Sequence, residues 1–409
     1  MKDMSYSEYK KLIFDYAKSN YIKMFRQPSG NLRYKYIVPG SVYDDCLWDW
    51  DSWLTNIALR KIAADNELKE YEKGCILNFI ENMYPTGAMP IFITHNSKYP
   101  DIKDCETQNI HKPCLAQHAL FVCSQNKDFK WLEPYFDKIE TFVGFYINNC
   151  RHESGLYFWL NDNAIGVDND PCTFYRPDRS SASVYLNCMM YKELQAVSEL
   201  AAVFGYDDKK CLYENMAKEL CHAVREHMWD ERNGFYYNVD INLLPINSES
   251  ALHSGCPRHW NNIIQKIDVW SGFMAMWAGI ATKEQAERMV AENYKNEKTF
   301  NSPYGVRTLS KLEKMYRIIK SDNPSCWLGP IWGISNYMTF VGLCNYGFNA
   351  EARELAGKTV RLLGEDLKRC GEFHEYYHPD TSEGINNPGF QNWNLLVVDM
   401  MEYLDNGDL

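Results

Sequence analysis

The stretch Trp48-Asp49-Trp50-Asp51-Ser52-Trp53 sets three indoles beside two carboxylates at the start of a predicted helix. The apolar side of a pyranose ring stacks on an aromatic face, its hydroxyls bond carboxylates in pairs, and ligand pockets combine apolar walls with a few placed polar groups. The pattern therefore suits a sugar. The alternative is that Trp48 and Trp50 are ordinary core, since large aromatics are commonly buried. The motifs downstream decide between the two.

Gly166-Val167-Asp168-Asn169-Asp170-Pro171, followed by Arg176 and Arg179, falls between two predicted helices. A plain Asx-capped turn would account for part of it, whereas a catalytic acid on a loop held by rigid helices is a common arrangement. Cleavage of a glycosidic bond needs one protonated carboxyl at the leaving oxygen and a second carboxylate acting on water or on the sugar. Asp168 is the candidate acid. The partner is expected far along the chain, and Gly371-Glu372-Phe373-His374-Glu375-Tyr376-Tyr377-His378-Pro379 supplies two glutamates among aromatics that raise a carboxyl pKa by excluding water. As a purely structural element this segment is a capping turn with surface acids. Ser325-Cys326-Trp327-Leu328-Gly329-Pro330-Ile331-Trp332 and Phe390-Gln391-Asn392-Trp393 open two further helices with tryptophans at their starts. If alternate helices line a barrel, all these starts meet at one mouth.

The elements that must bring them there are helical. Periodicity predicts helices at about 5 to 25, 50 to 63, 67 to 83, 114 to 125, 129 to 149, 181 to 203, 208 to 228, 257 to 278, 282 to 294, 329 to 345, 348 to 365 and 389 to 404, with only short strands, one of them near Tyr34 to Val38. Phe204-Gly205-Tyr206 and Tyr346-Gly347-Phe348 each end one helix and begin the next, the glycine supplying a left-handed residue. Glu153 to Tyr157 and Arg232 to Tyr236 read as small ribbons on one rim. Repeated hairpins with decorated loops describe an all-α toroid. No linker interrupts the series, so residues 1–409 are expected to form a single domain, with 1–30 as an N-terminal capping helix.

Composition narrows the function classes. Of 409 residues 45% are hydrophobic and 14% aromatic, enough for a sizeable core. A net charge of −11 without a run of Lys or Arg excludes nucleic acid and anionic membrane as expected partners. The N-terminus lacks the apolar run of a leader, no stretch reaches the roughly 18 apolar residues of a membrane helix, and a cytoplasmic protein is expected. Fourteen scattered cysteines without a C-x-x-C pair read as reduced core thiols. No ligand spacing calls for a metal, and no cofactor motif is present.

The order WDWDSW, GVDNDP, SVYLN, SPYGVRTLS, WLGPIW, HEYYHPDTSEG and a Trp-bearing last helix, from about residue 40 to about 404, resembles the glycoside hydrolase family 63 and trehalase group, in particular its single-domain bacterial members such as mannosylglycerate and glucosylglycerate hydrolases. The resemblance implies an (α/α)6 barrel and an inverting hydrolase of a small α-glucoside or α-mannoside. It further implies Asp168 as general acid and Glu375 as general base; Glu372, three residues earlier on a turn where either carboxylate could face the mouth, is the fallback base. Trp48, Trp50 and Asp51 then hold the sugar, and Tyr304, Arg307, Trp327, Trp332 and Trp393 complete its wall. The chain departs from the group at three places. His111-Lys112-Pro113 replaces a usual Gln-Pro, Tyr185 stands where Asp is usual, and Leu328 where Arg is usual. Lys112 thus adds a cation near the pocket, either as an internal ion pair with Asp104 or Glu106 or as a reader of substrate charge. Two rivals remain at this level. A sugar epimerase or isomerase on an α/α barrel would use His374 and His378, and a silent carbohydrate-binding protein would keep the tryptophans without needing both carboxyls.

Overall fold

The computed structural model describes residues 4–174, 176–243, 260–318 and 324–407. Among the described residues twelve α-helices follow one another: α1 (Tyr6–Asn20), α2 (Asp49–Leu59), α3 (Asp65–Glu81), α4 (Leu115–Asn126), α5 (Phe136–Asn149), α6 (Val184–Val203), α7 (Asp207–His227), α8 (Met274–Trp277), α9 (Lys283–Arg288), α10 (Gly333–Asn345), α11 (Asn349–Cys370) and α12 (Val397–Asn406). The even-numbered helices are neighbours in series: α2 touches α4, α4 touches α6, α6 touches α8, α8 touches α10, and α10 touches α12 with the 3-10 turn before it. That last pair packs on α2 and closes the ring. The odd-numbered helices run outside it. This alternation of six inner and six outer helices is the (α/α)6 toroid expected from the repeated hairpins.

Sequence explains the pairing locally. After α6, Tyr206 N–H returns to Ala201 C=O and Gly205 N–H to Ala202 C=O, and after α10, Phe348 and Gly347 return to Leu343 and Cys344 in the same pattern. Both are Schellman caps, which require a left-handed residue; Gly205 has φ 79° and Gly347 φ 75°. The N-terminal helix α1, expected as a cap, lies in the outer layer against α11. A Cβ at Gly364 would come within 2.3 Å of the Tyr9 ring, so the approach of α1 depends on that glycine.

The expected helix at 257 to 278 is largely absent. Its first three residues lie outside the described residues; beyond them Ile263–Ile264 is a strand paired with Val239–Asp240, and helix begins only with a 3-10 turn at Trp270–Phe273. The β-branched pair Ile263–Ile264 favours extended backbone over helix. The helix expected from 129 starts at Phe136, because Pro134 and the 3-10 turn Glu133–Tyr135 precede it. The one expected from 389 begins as a 3-10 turn at Asn392–Leu396.

Two-residue strands lead directly into inner helices. Leu47–Trp48 precedes α2 and Ile331–Trp332 precedes α10, with Ser181–Ala182 just ahead of α6. Trp48 and Trp332 are the N-cap residues of α2 and α10, and Ser183 caps α6 by accepting from Leu186 N–H at 3.1 Å. Helix-borne asparagines pin the adjoining loops. Asn187 of α6 accepts from Tyr157 N–H at 2.8 Å and donates to Tyr157 C=O at 2.8 Å. Asn78 of α3 clamps Tyr34 and Asn336 of α10 clamps the Tyr304–Val306 turn in the same manner. Buried backbone groups must be paired, and a carboxamide mimics a strand for one residue. Glu193, buried on α6 and pushed up to about 7 by that burial, accepts from Ala116 and Gln117 N–H at the start of α4, joining two inner helices.

Asn187→Ala leaves both Tyr157 backbone groups buried and unpaired. The expected cost is about 2 to 4 kcal/mol, read as a lower denaturation midpoint in urea, and an unchanged midpoint counts against the clamp.

Candidate active site

The starts of the inner helices enclose a cavity of about 540 Å³. Among its lining residues are Trp48, Trp50 and Asp51 from the entry to α2, Lys112, Asp168, Trp332 from the entry to α10, Glu375, and Trp393. Eight of the eleven positions expected at the site are thus brought together. Three are not. Trp327 lies one layer back, stacked on Trp332 with centroids 4.0 Å apart and planes 9° from parallel. Tyr304 points to the outer helices, where its hydroxyl donates to Glu365 at 2.9 Å and Arg361 covers its ring. Arg307 is consumed by loop structure, donating to Asp380 at 2.9 Å and to the carbonyls of Glu297 and Thr299. Tyr304 and Arg307 sit in a motif next to the barrel, and the turn that α10 clamps directs both side chains away from the mouth.

The GVDNDP loop divides its polar groups cleanly. Asp168 lines the cavity, while Asn169 accepts from Trp327 N–H at 2.7 Å and so ties the loop to the segment before α10. Asp170 is buried and accepts from Cys172 N–H at 2.9 Å, a turn cap whose carboxyl is pushed up to about 6 by burial. Gly166, at φ 86°, lets the loop lie against the floor: a Cβ there would meet Lys112 Cε at 2.6 Å and the Trp50 ring at 2.8 Å. Burial raises the Asp168 carboxyl above its ordinary range, with the Ser325 hydroxyl and the Lys112 charge opposing.

Glu375, only 3% exposed, is held from three sides. Tyr43 donates to Oε1 at 3.1 Å, and Asn386 and Asn387 donate to Oε2 at 2.9 and 2.5 Å. Both asparagines have positive φ, 63° and 39°, a conformation Asn tolerates better than other side chains. Burial pushes the Glu375 carboxyl up to about 7; the three donors hold it down, and the negative charge of Asp168 adds to the rise. Asp51 is pushed up to about 8, first by burial and then by Asp49, against the pull of Lys112 and Asn392. Asp51 and Glu375 are buried and Asp168 partly so, and three such carboxyls facing one cavity cannot all be ionised at neutral pH without cost. Glu372 does not line the cavity.

Lys112 is paired with Asp49, not with Asp104 or Glu106. Its ammonium lies 3.1 Å from both Asp49 oxygens, its own backbone N–H donates to Asp49 at 2.9 Å, and its Nζ sits 5.1 Å from the Trp50 ring centre. Both partners are buried. Beneath Trp50, Tyr185 packs with its ring centre 5.5 Å away, filling the place where the resembling group has an acid. Leu328 is buried. Among the described residues the buried indole N–H groups of Trp48 and Trp393 have no hydrogen-bond partner.

Residues that sequence reasoning did not assign to the site include Tyr43, Phe92, Tyr99, Asp162, Asn163, Ser325 and Phe390 in the lining, and Asn386 and Asn387 behind Glu375. Ser325 and Phe390 stood at the edges of the tryptophan motifs. The Asn-Asn-Pro-Gly run at 386–389 signals a turn, but nothing local says that the turn faces Glu375. His374 Nδ1 is engaged with Asp366 at 2.9 Å, His378 accepts from Asp380 N–H, and neither histidine lines the cavity. The epimerase alternative loses its groups. Asp366, Cys370 and His374 bring three possible metal ligands within 4.8 Å of one another, but both Asp366 oxygens already accept from His374 and the Arg369 guanidinium lies 3.5 Å away.

Residues 44–393 match the family described as the mannosylglycerate hydrolase MGH1-like glycoside hydrolase domain. The chain belongs to this glycoside hydrolase family. The fold of this MGH1-like domain is that of the GH63 mannosylglycerate hydrolase from Thermus thermophilus solved in complex with glucose, with a TM-score of 0.69 over 94% of this chain and 99% of that one at 18% identity. A probable trehalase from Eremothecium gossypii is 23% identical over 393 residues, 81% of this chain and 50% of the relative. A probable mannosyl-oligosaccharide glucosidase from Schizosaccharomyces pombe is 30% identical over 308 residues, 71% of this chain and 34% of the relative. The chain spans about half the length of the first curated relatives it matches.

Removing one partner of the buried pair strands the other's charge. Lys112→Met is expected to destabilise the protein by about 3 to 5 kcal/mol, and Asp49→Asn combined with Lys112→Met to recover most of that loss. Denaturation midpoints of the two single variants and the double variant test this; additive losses would mean that the pair is not a unit.

Proposed function

We propose that the chain is an inverting glycoside hydrolase of a small α-glucoside or α-mannoside, with Asp168 as general acid and Glu375 as general base. The observation that carries this reading is the pair of carboxyls, raised by burial, lining one aromatic cavity whose floor is Trp50, Trp332 and Trp393. Inversion needs one carboxyl protonated and the other ionised. Burial together with mutual repulsion favours a single proton on the two, and the likeness of the Gly166–Asn169 loop to the acid motif of the resembling group is what gives that proton to Asp168. Asp168 then protonates the glycosidic oxygen while Glu375 takes a proton from water attacking the opposite face of the sugar.

Asp51 supplies hydrogen bonds to the sugar hydroxyls, and the tryptophan faces bury its apolar side. Among the described residues every cysteine is a free thiol, and no helix is long and apolar enough to cross a membrane. Free thiols suit a reducing, cytoplasmic setting. Residues 1–409 act in this reading as one catalytic domain.

Asp168→Asn is expected to lower kcat/KM on an α-glycoside with an alcohol leaving group by about 10²- to 10⁴-fold, the usual contribution of a general acid. On the corresponding α-glycosyl fluoride, whose leaving group needs no proton, the loss should be far smaller. Parallel steady-state assays on the two substrates decide it. Near wild-type turnover of the glycoside, or equal losses on both substrates, contradicts the assignment.

A further inference from the structure

Three aromatic residues that line the cavity arrive on three different strands. Leu47–Trp48 pairs antiparallel with Phe92–Ile93, which pairs antiparallel with Lys98–Tyr99, and the registers set Trp48 opposite Phe92 and Phe92 opposite Tyr99. Directly opposed residues of antiparallel strands project to the same face. The rings accordingly form a ladder: Trp48 and Phe92 lie 4.6 Å apart between centres, Phe92 and Tyr99 5.6 Å apart with planes only 12° from parallel. All three rings are partly exposed, and at one end Trp48 meets Tyr43, the donor to Glu375, with ring centres 5.8 Å apart. The ladder therefore extends along the cavity wall from beside Glu375.

What surrounds the ladder fixes the chemistry of its ligand. The loop Asn161–Asn163 abuts its Tyr99 end, where the Asn163 carboxamide donates to the Tyr99 hydroxyl, and Asn109 anchors the loop by donating to the carbonyls of Asn161 and Asn163 at 3.0 and 2.6 Å and accepting from Leu160 N–H at 2.9 Å. This loop adds a carboxylate, Asp162, and a carboxamide, Asn163, to the lining. Among the described lining residues Lys112 is the one Lys or Arg, and Asp49 holds its ammonium through both oxygens. The same cavity carries the carboxyls of Asp51, Asp162, Asp168 and Glu375. With its one cation already answered by Asp49, the described lining offers no counter-charge to a carboxylate or phosphate on the leaving group and suits a ring with an apolar face and hydroxyl edges.

We propose that the Trp48–Phe92–Tyr99 ladder is a leaving-group subsite for a second, uncharged sugar ring, so that the substrate is a neutral α-linked disaccharide and not a glycoside of an acid. The inference rests on the reading of Asp168 and Glu375 as the hydrolytic pair for its kinetic test. It is independent of that reading for its binding test.

The experiment uses the full chain and three kinds of probe: α-linked disaccharides of glucose or mannose, the methyl α-glycosides of the same sugars, and α-glucosylglycerate with α-mannosylglycerate as anionic glycosides. The wild-type protein is expected to favour a neutral disaccharide over the anionic glycosides by about tenfold or more in kcat/KM. Phe92→Ala should lower the ratio of kcat/KM for disaccharide over methyl glycoside about three- to tenfold, the worth of one aromatic stacking contact. Phe92→Tyr, which keeps the ring, should restore the ratio. Calorimetric affinities for disaccharide and free monosaccharide are measured alongside, and Phe92→Ala should narrow the gap between them. If no probe is hydrolysed while the wild type still binds disaccharide more tightly in a Phe92-dependent way, the hydrolytic reading fails and the subsite stands. A preference for the anionic glycosides, or equal losses on disaccharide and methyl glycoside with no change in relative affinity, overturns the subsite.

Discussion

The Asp49 carboxylate holds together three segments that come from distant parts of the chain. It stands in the first turn of α2, binds the ammonium and the backbone N–H of Lys112 ahead of α4, and thereby presses the Lys112 stem against Gly166 of the Asp168 loop. A buried charge of either sign alone would be expensive, whereas the two together with their backbone hydrogen bonds are tolerated. Trp50, the next residue, is trapped between this pair and Tyr185. Removing the pair would free the floor of the cavity and the loop above it at once.

A second constraint acts on the carboxyls that are left unpaired. Water is kept from them by a continuous aromatic wall: Trp327 backs Trp332, Trp332 meets Trp393 at 5.9 Å, and Trp393 meets Trp50 at 5.3 Å. The wall raises Asp51 and Glu375 into the neutral range and Asp168 in the same direction. The consequence is chemical. A carboxyl at its solution pKa is fully ionised near pH 7 and cannot donate a proton, so the burial that costs stability is also what makes an acid available.

Helix number, the two glycine hairpins and the convergence of helix starts were legible in the sequence, because each rests on local periodicity or on one residue type at one turn. Gly205 and Gly347 could be read from their flanking aromatics alone. The partner of Lys112 could not: Asp104 and Glu106 are near in sequence, but Asp49 is near in space, and only the packing of successive inner helices brings α2 beside α4. Tyr304 and Arg307 misled for a related reason. Their motif lies beside the site, yet the clamp from Asn336 turns the segment so that one side chain reaches α11 and the other braces a loop. The segment at 257 to 278 shows the limit of periodicity itself, since Ile263 and Ile264 fit a helical apolar stripe as well as a strand. Phe92 and Tyr99 carried no signal at all, because what matters about them is the register of a three-stranded ribbon.

The central claim is that water attacks with Glu375 as base while Asp168 protonates the departing oxygen on the other face of the sugar. Inverting pairs stand roughly 6.5 to 9.5 Å apart to admit that water, and retaining pairs roughly 5 to 5.5 Å apart. The stereochemistry of the first-formed product reports which geometry operates, before mutarotation erases it. Proton NMR of the earliest sugar released from an α-glycoside should show the β-anomer. Early release of the α-anomer would contradict the account.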